Sequence, residues 1–414
     1  MIVDPLFSVP SLVLNDPPWR ADDALARLMS VLSPVSHGMD KKGPAVMIVG
    51  GAVRNAVMGV PIKDIDLASI HAPDIVMQRA QAAGFRVIPT GVDHGTVTAV
   101  SDGRGYEVTT LRHDIEPDGR HAVVAYTDDW SADAARRDFT CNTLFSDFEG
   151  RVYDPLGIGI VDAQTRRIRF VGDAATRIRE DYLRILRFFR MYAEYGRGEM
   201  DPAGVEACAR AGGGILELSR ERVTKEMRLL MLSENSAYVI KIMIDNNILN
   251  NIIHIKNDLS LLSRVVDLQG RMGRVDDVPR WAALGPDLAA IGRSMIMFKS
   301  NEINILKNIF EVRFEDEWSP HSVRRDAVRI GRRGIESVMG AALLYAPMDR
   351  VPILFAALTD QDLPTFPLTG DDVMVAAGIP AGPVVGRVLS DLKEVWVQSD
   401  FSMDINTLRG MIRL

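Results

Sequence analysis

Hydrophobic and polar positions repeat with two different periods along the chain, and the change of period divides it into two parts. Between residues 45 and 150, short runs rich in β-branched residues alternate with helical patterns. The strand candidates are AVMIVG (45–50), DIDLAS (64–69), GTVTAVS (95–101) and GYEVTTLR (105–112). PDIVMQRAQAAG (73–84) is the clearest intervening helix. We therefore predict an α/β domain with hairpin-like strand spacing late in it.

Helical periodicity dominates after about residue 165. One long helix is predicted over 173–196, with Asp173 as its N-cap and Gly196 as its stop. A second is predicted over 219–232, opened by a serine cap, and the Ile/Asn/Lys-rich tracts 245–258 and 299–310 are interpreted as helical scaffold. Before the first strand, residues 1–20 lack periodicity and are predicted to be an arm, followed by an amphipathic helix over 21–33.

A glycine turn and a pair of aspartates carry the first chemical signal. Gly50 and Gly51 follow a predicted strand and precede a helix, where backbone N–H groups can approach a phosphate, and Arg54 lies one turn further on. Asp64 and Asp66 are two apart in a predicted strand, so both carboxylates share one face. A divalent cation is the usual means of holding two ionised carboxylates together, and Mg²⁺ favours a few carboxylates with waters and phosphate oxygens.

Composition narrows the class of protein. The 414 residues carry a net charge of −7 and are 47% hydrophobic and 25% charged, as expected for a globular chain of two to four domains. The two cysteines, Cys141 and Cys208, show no metal-ligand spacing, and we expect a reducing cytoplasm. No segment has the features of a signal peptide or a membrane span. The negative charge argues against non-specific nucleic-acid binding by the whole surface, but allows a local basic groove.

Ordered blocks of sequence resemble a known family. The stretch 49–69, VGGAVRNAVMGVPIKDIDLAS, is similar to the signature of the class II tRNA nucleotidyltransferase and bacterial poly(A) polymerase superfamily. RRDFTCNTLF (136–145), DPLG (154–157) and REDYLRILRFFR (179–190) support the resemblance. A C-terminal block, 368–389, resembles the tail of CCA-adding enzymes.

The resemblance implies an α+β fold, in which a nucleotidyltransferase palm with a mixed β-sheet is followed by an all-α neck, body and tail. The expected boundaries are 1–44 for the arm and first helix, 45–160 for the palm, 161–232 for the neck, 233–345 for the body and 346–414 for a tRNA-binding tail. It also implies that a tRNA 3′-hydroxyl attacks the α-phosphate of CTP or ATP, so that CCA is added and pyrophosphate leaves. Asp64 and Asp66 would hold two Mg²⁺ ions, with Glu107 as the candidate third carboxylate. An exposed strand acid is an equal alternative for Glu107.

Further residues match family positions around the incoming nucleotide. In 136–145 these are Arg137, Asp138 and Asn142, of which the last two could bind a ribose hydroxyl; a buried Arg–Asp pair that organises the junction to the neck is the alternative. Asp181 and Arg184 are three apart on the predicted helix and present an acceptor beside donors, which suits the edges of cytosine and adenine but not uracil. Arg187 and Arg190 continue the spacing and are expected to meet phosphates. The whole predicted nucleotide set is Gly50, Gly51, Arg54, Arg137, Asp138, Asn142, Asp181, Arg184, Arg187 and Arg190.

Residues 111–130 resemble the flexible loop of CCA-adding enzymes, which CC-only relatives lack or shorten. Within it, Arg112, Asp114 and Arg120 are candidates for adjusting the pocket between a pyrimidine and a purine, and an ordinary hairpin loop is the alternative. One departure from the family pattern is Asn55, which stands where aspartate usually follows the arginine.

Three other functions remain open at this point: a poly(A) polymerase, a CC-only adding enzyme, and an inactive RNA-binding protein on the same scaffold. The C-terminus is not strongly basic, unlike the extension of poly(A) polymerases, and the intact aspartate pair argues against the inactive protein. The sequence leaves the oligomeric state undetermined.

Overall fold

The protein is described by a computed structural model that covers residues 5–34, 43–92, 95–114, 124–253, 258–285, 294–312 and 318–412. The chain divides into two compact units, Met1–Gly214 and Ile215–Leu414. Among the described helices, none combines the length and the apolar character that a membrane crossing requires.

The first unit is built on a mixed β-sheet with the strand order β1-β10-β9-β2-β3-β6-β5-β4. Its strands are β1 (Leu12–Val13), β2 (Val46–Val49), β3 (Asp66–Ser69), β4 (Arg86–Gly91), β5 (Thr96–Ser101), β6 (Arg104–Thr110), β9 (Phe145–Ser146) and β10 (Arg151–Tyr153). A separate hairpin pairs β7 (Arg112–Asp114) with β8 (Val124–Tyr126). The contact of β3 with β6 is parallel, while the other pairings are antiparallel.

Helices pack on both faces of this sheet and follow it in the chain. They are α1 (Asp23–Leu32), α2 (Gly51–Met58), α3 (Pro73–Ala82), α4 (Trp130–Ala135), α5 (Gly159–Gln164), α6 (Ala174–Glu180), α7 (Leu183–Tyr195) and α8 (Pro202–Ala211). One sheet face packs against α1 and α3. Over β2, β3 and β9 the other face is covered by Trp130 of α4. The Trp130 ring lies edge-on to the ring of Phe145, with 5.0 Å between the ring centres. The α+β prediction is confirmed.

The four predicted strands and the three helices predicted within residues 21–84 are present, with small shifts in their ends. The predicted arm differs, because β1 pairs with β10 at the sheet edge and Trp19 is fully buried, where its indole N–H donates to the carbonyl of Phe148. This long-range pairing leaves no periodic pattern in the sequence, since β1 has only two residues.

The predicted helix over 173–196 is interrupted. Asp173 caps α6 and Gly196 ends α7, as predicted, but Asp181 is extended at φ −157° and ψ 109° and separates the two helices. The side chain of Asp181 accepts the backbone N–H of Leu183 at 3.0 Å. An aspartate that bonds to the backbone two residues ahead competes with the continuous helix, which explains the break.

The second unit is helical in its described residues. Its helices are α9 (Arg220–Met231), α10 (Ser236–Asp245), α11 (Ser260–Met272), α12 (Asp277–Ala282), α13 (Ser300–Glu311), α14 (Pro320–Ile330), α15 (Gly334–Tyr345), α16 (Val351–Thr359), α17 (Gly370–Ala377), α18 (Pro383–Gln398) and α19 (Ile405–Gly410). Trp396 of α18 belongs to one hydrophobic core cluster together with Leu368, Leu392 and Leu408. Ser219 caps α9 as predicted.

The two Ile/Asn/Lys-rich tracts have different structures. The tract 299–310 forms α13, as predicted. In the tract 245–258, however, α10 ends at Asp245, Asn247 has φ +57°, and Leu249–Asn251 is a short 3₁₀ turn, so the helical prediction is wrong for its described part. Asparagine tolerates the left-handed conformation that ends a helix, which accounts for the difference.

Candidate functional site

The glycine turn joins β2 to α2 at the edge of a cavity. Gly50 has φ +63° and ψ −123°, a conformation that favours glycine, and a Cβ there would lie 3.3 Å from Nη1 of Arg137. No side chain caps α2, so the N–H groups of its first turn are available to an anion.

Carboxylates gather at the start of β3. Asp66 is the register partner of Glu107 on the neighbouring parallel strand β6. Asp64 and Asp66 are exposed while Ile65 and Leu67 are buried, so the predicted alternation holds, although β3 begins at Asp66 and not at Asp64. The pKa of Asp66 is raised to about 6, chiefly because the neighbouring protein reduces the hydration of its carboxylate, and further by the negative charges of Glu107 and then Asp64. The positive charge of Arg137 opposes this rise.

This crowding of negative charge suits a divalent cation. Among the described residues, no group of three or more His, Cys, Asp or Glu side chains is arranged to hold a metal ion. Two aspartates with waters and phosphate oxygens are a typical environment for Mg²⁺, so Asp64 and Asp66 fit the ion chemically.

A buried carboxylate holds two arginines beside the glycine turn. Asp133 of α4 is 1% exposed and accepts from Nη2 of Arg136 at 2.6 Å and from Nη2 of Arg137 at 2.9 Å. Burial alone would raise the pKa of Asp133, but the two guanidinium groups outweigh it and hold the pKa below its usual value. Arg137 thereby reaches the cavity in a fixed position.

Arg54 forms a buried wall of the same cavity. Its guanidinium donates to the amide oxygen of Asn55 at 2.8 Å and to that of Asn142 at 2.6 Å, and it lies 4.1 Å from the ring centre of Tyr195. No carboxylate of the described residues forms an ion pair with it. The charge of Arg54 is therefore compensated by neutral amide oxygens and an aromatic ring.

Asp138 connects the 136–145 block to α7. Its carboxylate accepts Nε of Arg187 at 2.8 Å, Nδ2 of Asn142 at 3.0 Å and the backbone N–H of Phe139 at 2.8 Å. Burial would raise the pKa of Asp138, but Arg187 and these hydrogen bonds hold it below its usual value. Asn142 is thus bonded at both ends of its amide, to Arg54 and to Asp138.

Asp181 and Arg184, the pair predicted to recognise the base, lie at the break between α6 and α7, not on one continuous helix. Asp181 occupies the break, while Arg184 in the first turn of α7 contacts the carboxylate of Glu180 and donates to the carbonyl of Arg177 at 2.9 Å. Tyr182, between them, packs flat against Gly214, where a Cβ would lie 2.2 Å from the ring. The i,i+3 argument made for Asp181 and Arg184 is therefore wrong in its helical premise, yet both residues face the same cavity.

These elements enclose a cavity of about 430 Å³. Its lining residues are Gly50, Gly51, Arg54, Asp66, Arg136, Arg137, Asp138, Asn142, Asp181, Arg184, Arg187, Arg190 and Met191. All of the predicted nucleotide-binding residues belong to this set. The arginines outnumber the aspartates, which suits a polyanion such as a triphosphate.

Sequence reasoning missed Asp133, Arg136 and Met191. Arg136 adjoins Arg137 in the sequence, and Met191 follows Arg187 by four residues on α7, which are signals that were present but not specific. In the predicted flexible loop, Arg112 and Asp114 belong to β7, whereas Arg120 lies outside the described residues. A larger cavity of about 930 Å³, lined by α6, α8 and Tyr182, contains none of the predicted site residues.

Known proteins resemble the chain over most of its length. A family model described as the poly A polymerase head domain matches residues 46–169. The human mitochondrial CCA tRNA nucleotidyltransferase 1 is 31% identical over 389 residues, which cover 90% of this chain and 87% of that protein. This chain belongs to the CCA tRNA nucleotidyltransferase family. A CCA-adding enzyme from Bacillus cereus (strain Q1) is 26% identical over 392 residues, covering 92% of this chain and 97% of the other.

Solved structures of this CCA tRNA nucleotidyltransferase family share the fold. The CCA-adding enzyme of Bacillus stearothermophilus in complex with CTP has a TM-score of 0.71 at 24% identity, covering 96% of this chain and 97% of that one. The Thermotoga maritima CCA-adding enzyme complexed with tRNA has a TM-score of 0.60 at 15% identity, covering 89% of this chain and 90% of that one. The class II resemblance found in the sequence blocks is confirmed.

Proposed function

We propose that this protein adds the sequence CCA to the 3′ end of tRNA, using CTP and ATP and releasing pyrophosphate. Its membership of the CCA tRNA nucleotidyltransferase family carries the proposal. The site supports it, because exposed carboxylates at Asp64 and Asp66 adjoin an arginine-rich cavity able to hold a triphosphate. The reaction needs no other substrate.

We assign Asp64 and Asp66 to hold Mg²⁺, with Glu107 beside them as a third acidic group. When bound, such ions activate the attacking hydroxyl and stabilise the charge on the leaving oxygen. The chain itself binds and orients the substrates: the first N–H groups of α2 and the guanidinium of Arg137 converge where the phosphates would lie. Arg190 lines the same cavity from α7.

Asp138 and Asn142 position the arginines around the nucleotide. Because the carboxylate of Asp138 already accepts from Arg187, Asn142 and the backbone N–H of Phe139, a ribose hydroxyl gains a partner at Asp138 only by exchanging one of these bonds. This favours the structural role that the sequence left open beside ribose binding.

Asp181 and Arg184 are proposed to select the base. Cytosine and adenine each present an amino donor beside a ring acceptor, which match a carboxylate and a guanidinium. Uracil places a carbonyl where the amino group should be, and a buried unpaired polar group costs about 1–3 kcal/mol. Asp181 lies in an extended segment between α6 and α7, and its side chain lines the same cavity as Arg184.

The deciding experiment offers tRNA that lacks its 3′ end with each nucleotide singly and in combination, and sequences the products. We expect addition of two cytidines with CTP alone, and of CCA with CTP and ATP together. A homopolymer from ATP alone would indicate a poly(A) polymerase, a product that stops before A a CC-adding enzyme, and no product an inactive RNA-binding protein.

The step from C to A is proposed to depend on the predicted loop 111–130, of which residues 115–123 lie outside the described residues. One pocket must accept a pyrimidine twice and then a purine, so a part of it must move. Replacement of residues 113–121 by a short Gly/Ser linker should preserve addition of CC and abolish addition of A. Equal loss of both would contradict this role.

We also propose a cytoplasmic location, although the human relative is named as mitochondrial.

A further inference from the structure

One face of the sheet continues from the catalytic carboxylates to the sheet edge. Asp66 on β3 is paired with Glu107 on β6, Glu107 with Thr98 on β5, and Thr98 with Ile88 on β4. Directly paired residues point to the same side of a sheet, so these four side chains form one row. At about 4.8 Å between strands, the row runs about 14 Å from Asp66 to the edge.

The side chains of this face are hydroxylic and accessible. Thr90 and Thr98 share a hydrogen bond of 2.7 Å, and Thr96 and Thr109 share one of 3.0 Å. Ile88 is 37% exposed. The opposite face of the same strands is apolar and packs against α3. We call the side that carries Glu107, Thr98, Thr90, Ile88 and Arg86 the open sheet face.

The edge strand β4 is adapted to its exposed position. Its register with β5 shifts between Ile88 and Gly91, and Pro89 lies in this bulge. A bulge and a proline prevent another strand from pairing at this edge, and bulges commonly adjoin active sites, where they redirect side chains. The shift brings Thr90 against Thr98 on the open sheet face.

A cation lies at the far end of the open sheet face. Arg86 is two residues before Ile88 on β4 and points to the same side, where it is exposed. Within the described part of the chain, it takes part in no ion pair. Arg86 is therefore placed to meet a phosphate, while the threonines can donate to phosphate oxygens or accept from ribose 2′-hydroxyl groups.

The in-line geometry of the reaction indicates which substrate would lie on the open sheet face. The incoming nucleotide fills the cavity between α2 and α7, which reaches Asp66 from one side. The attacking 3′-hydroxyl must arrive in line with the leaving pyrophosphate, and thus from the side away from that cavity. The open sheet face is continuous with Asp66 through Glu107 on that side.

We propose that the open sheet face binds the single-stranded 3′ end of the tRNA, with Arg86 on a phosphate and Ile88, Thr90 and Thr98 along the last nucleotides. A length of about 14 Å corresponds to roughly four nucleotides at 3.4 Å per stacked nucleotide. The neutral hydroxyl groups bind without fixing the strand as cations would, which allows the RNA end to rearrange between successive additions. The inference rests on the proposed function.

The first test compares two substitutions at opposite edges of one sheet. Ile88→Asp places a negative charge on the open sheet face, whereas Val13→Asp places it on β1, where Val13 is 54% exposed. We expect Ile88→Asp to raise the KM for tRNA about tenfold with the KM for CTP unchanged, and Val13→Asp to change neither. A tRNA KM within twofold of the unmodified protein, or an equal rise in the CTP KM, would overturn the proposal.

The second test uses charge on the two faces of the sheet. Arg86→Gln removes a cation from the open sheet face, and Arg104→Gln removes one from the opposite face, where Arg104 pairs with Asp22. Arg86→Gln should weaken tRNA binding and reduce the slope of log affinity against log salt by about 1, while Arg104→Gln leaves the slope unchanged. Equal slopes in the two variants would contradict the assignment.

A third measurement is independent of turnover. tRNA lacking its 3′ end should slow amide hydrogen exchange in residues 86–91, and CTP alone should not. Absence of this protection would refute the docking surface even if CCA addition proceeds. Protection without any nucleotide incorporation would support the surface and reject the proposed function.

Discussion

Replacement of Asp133 should weaken both the fold of the first unit and its hold on the nucleotide. Asp133 accepts Nε and Nη2 of Arg136 at 2.9 and 2.6 Å, and Nε and Nη2 of Arg137 at 3.2 and 2.9 Å. Removing one partner from a fully buried ion pair costs roughly 3–5 kcal/mol. Here the two arginine side chains are 19% and 18% exposed, so water replaces part of the lost interaction.

From these contacts we expect Asp133→Ala to lower the free energy of unfolding by about 2–3 kcal/mol. Asp133→Asn keeps one acceptor oxygen and should cost about 1–2 kcal/mol. For a unit of this size, the alanine variant should melt roughly 4–12 °C lower. Because Arg137 loses its anchor, the KM for CTP should rise by roughly three- to tenfold, which corresponds to about 0.7–1.4 kcal/mol.

Urea unfolding at several pH values measures this effect. The pKa of Asp133 is depressed in the folded state, so its contribution is complete above the ordinary value of 3.8 and is lost as the pH falls through the folded-state pKa. The difference between wild type and variant should therefore be constant from pH 7 to pH 5 and shrink below about pH 4. Asp74→Asn, an exposed carboxylate in the first turn of α3, is the matched control. A shift no larger than that of the control, or an unchanged KM for CTP, would refute the reasoning.

Three further substitutions test the site. Asp66→Ala should reduce nucleotide incorporation at least about 10³-fold, equivalent to about 4 kcal/mol, without lowering the melting temperature, and near-normal incorporation by the folded variant in Mg²⁺ would exclude it as a metal ligand. Arg184→Ala should reduce discrimination against UTP and GTP by about tenfold with tRNA binding preserved, whereas an unchanged nucleotide preference would remove Arg184 from the template. Gly50→Ala places an alanine at φ +63°, with its Cβ 3.3 Å from Nη1 of Arg137. This substitution should raise the KM for CTP in steady-state kinetics and destabilise the unit by more than about 1 kcal/mol in urea unfolding.

The parts of the fold predicted correctly are those whose signals are local. The run AVMIV forms β2 because its side chains are buried on both faces, and the glycines after it allow the turn into α2. Trp19 and β1 could not be predicted in this way, because their partners Phe148 and β10 lie more than 120 residues away. The break at Asp181 was missed since helical periodicity continues through it, and only the aspartate side chain competes with the helix.

The candidate site shows the same division. Sequence motifs identified most of the residues that line the cavity. A glycine turn before a helix indicates a phosphate site, and two aspartates two residues apart indicate a cation site, and both patterns are visible within a short stretch of sequence. They did not identify Asp133, whose function depends on burial beneath two arginines, a property that a single sequence does not record. Nor did they show that the carboxylate of Asp138 is already engaged by Arg187, Asn142 and the backbone of Phe139.

The amide at position 55 has an evolutionary consequence. Codons for asparagine and aspartate differ by a single base, so one mutation would give the guanidinium of Arg54 a carboxylate partner in place of the Asn55 oxygen at 2.8 Å. That ion pair would neutralise a buried positive charge on the wall of the arginine-rich cavity. Two electrostatic states of one pocket are therefore a single base change apart, and Asn55 gives the state in which Arg54 has no carboxylate partner among the described residues.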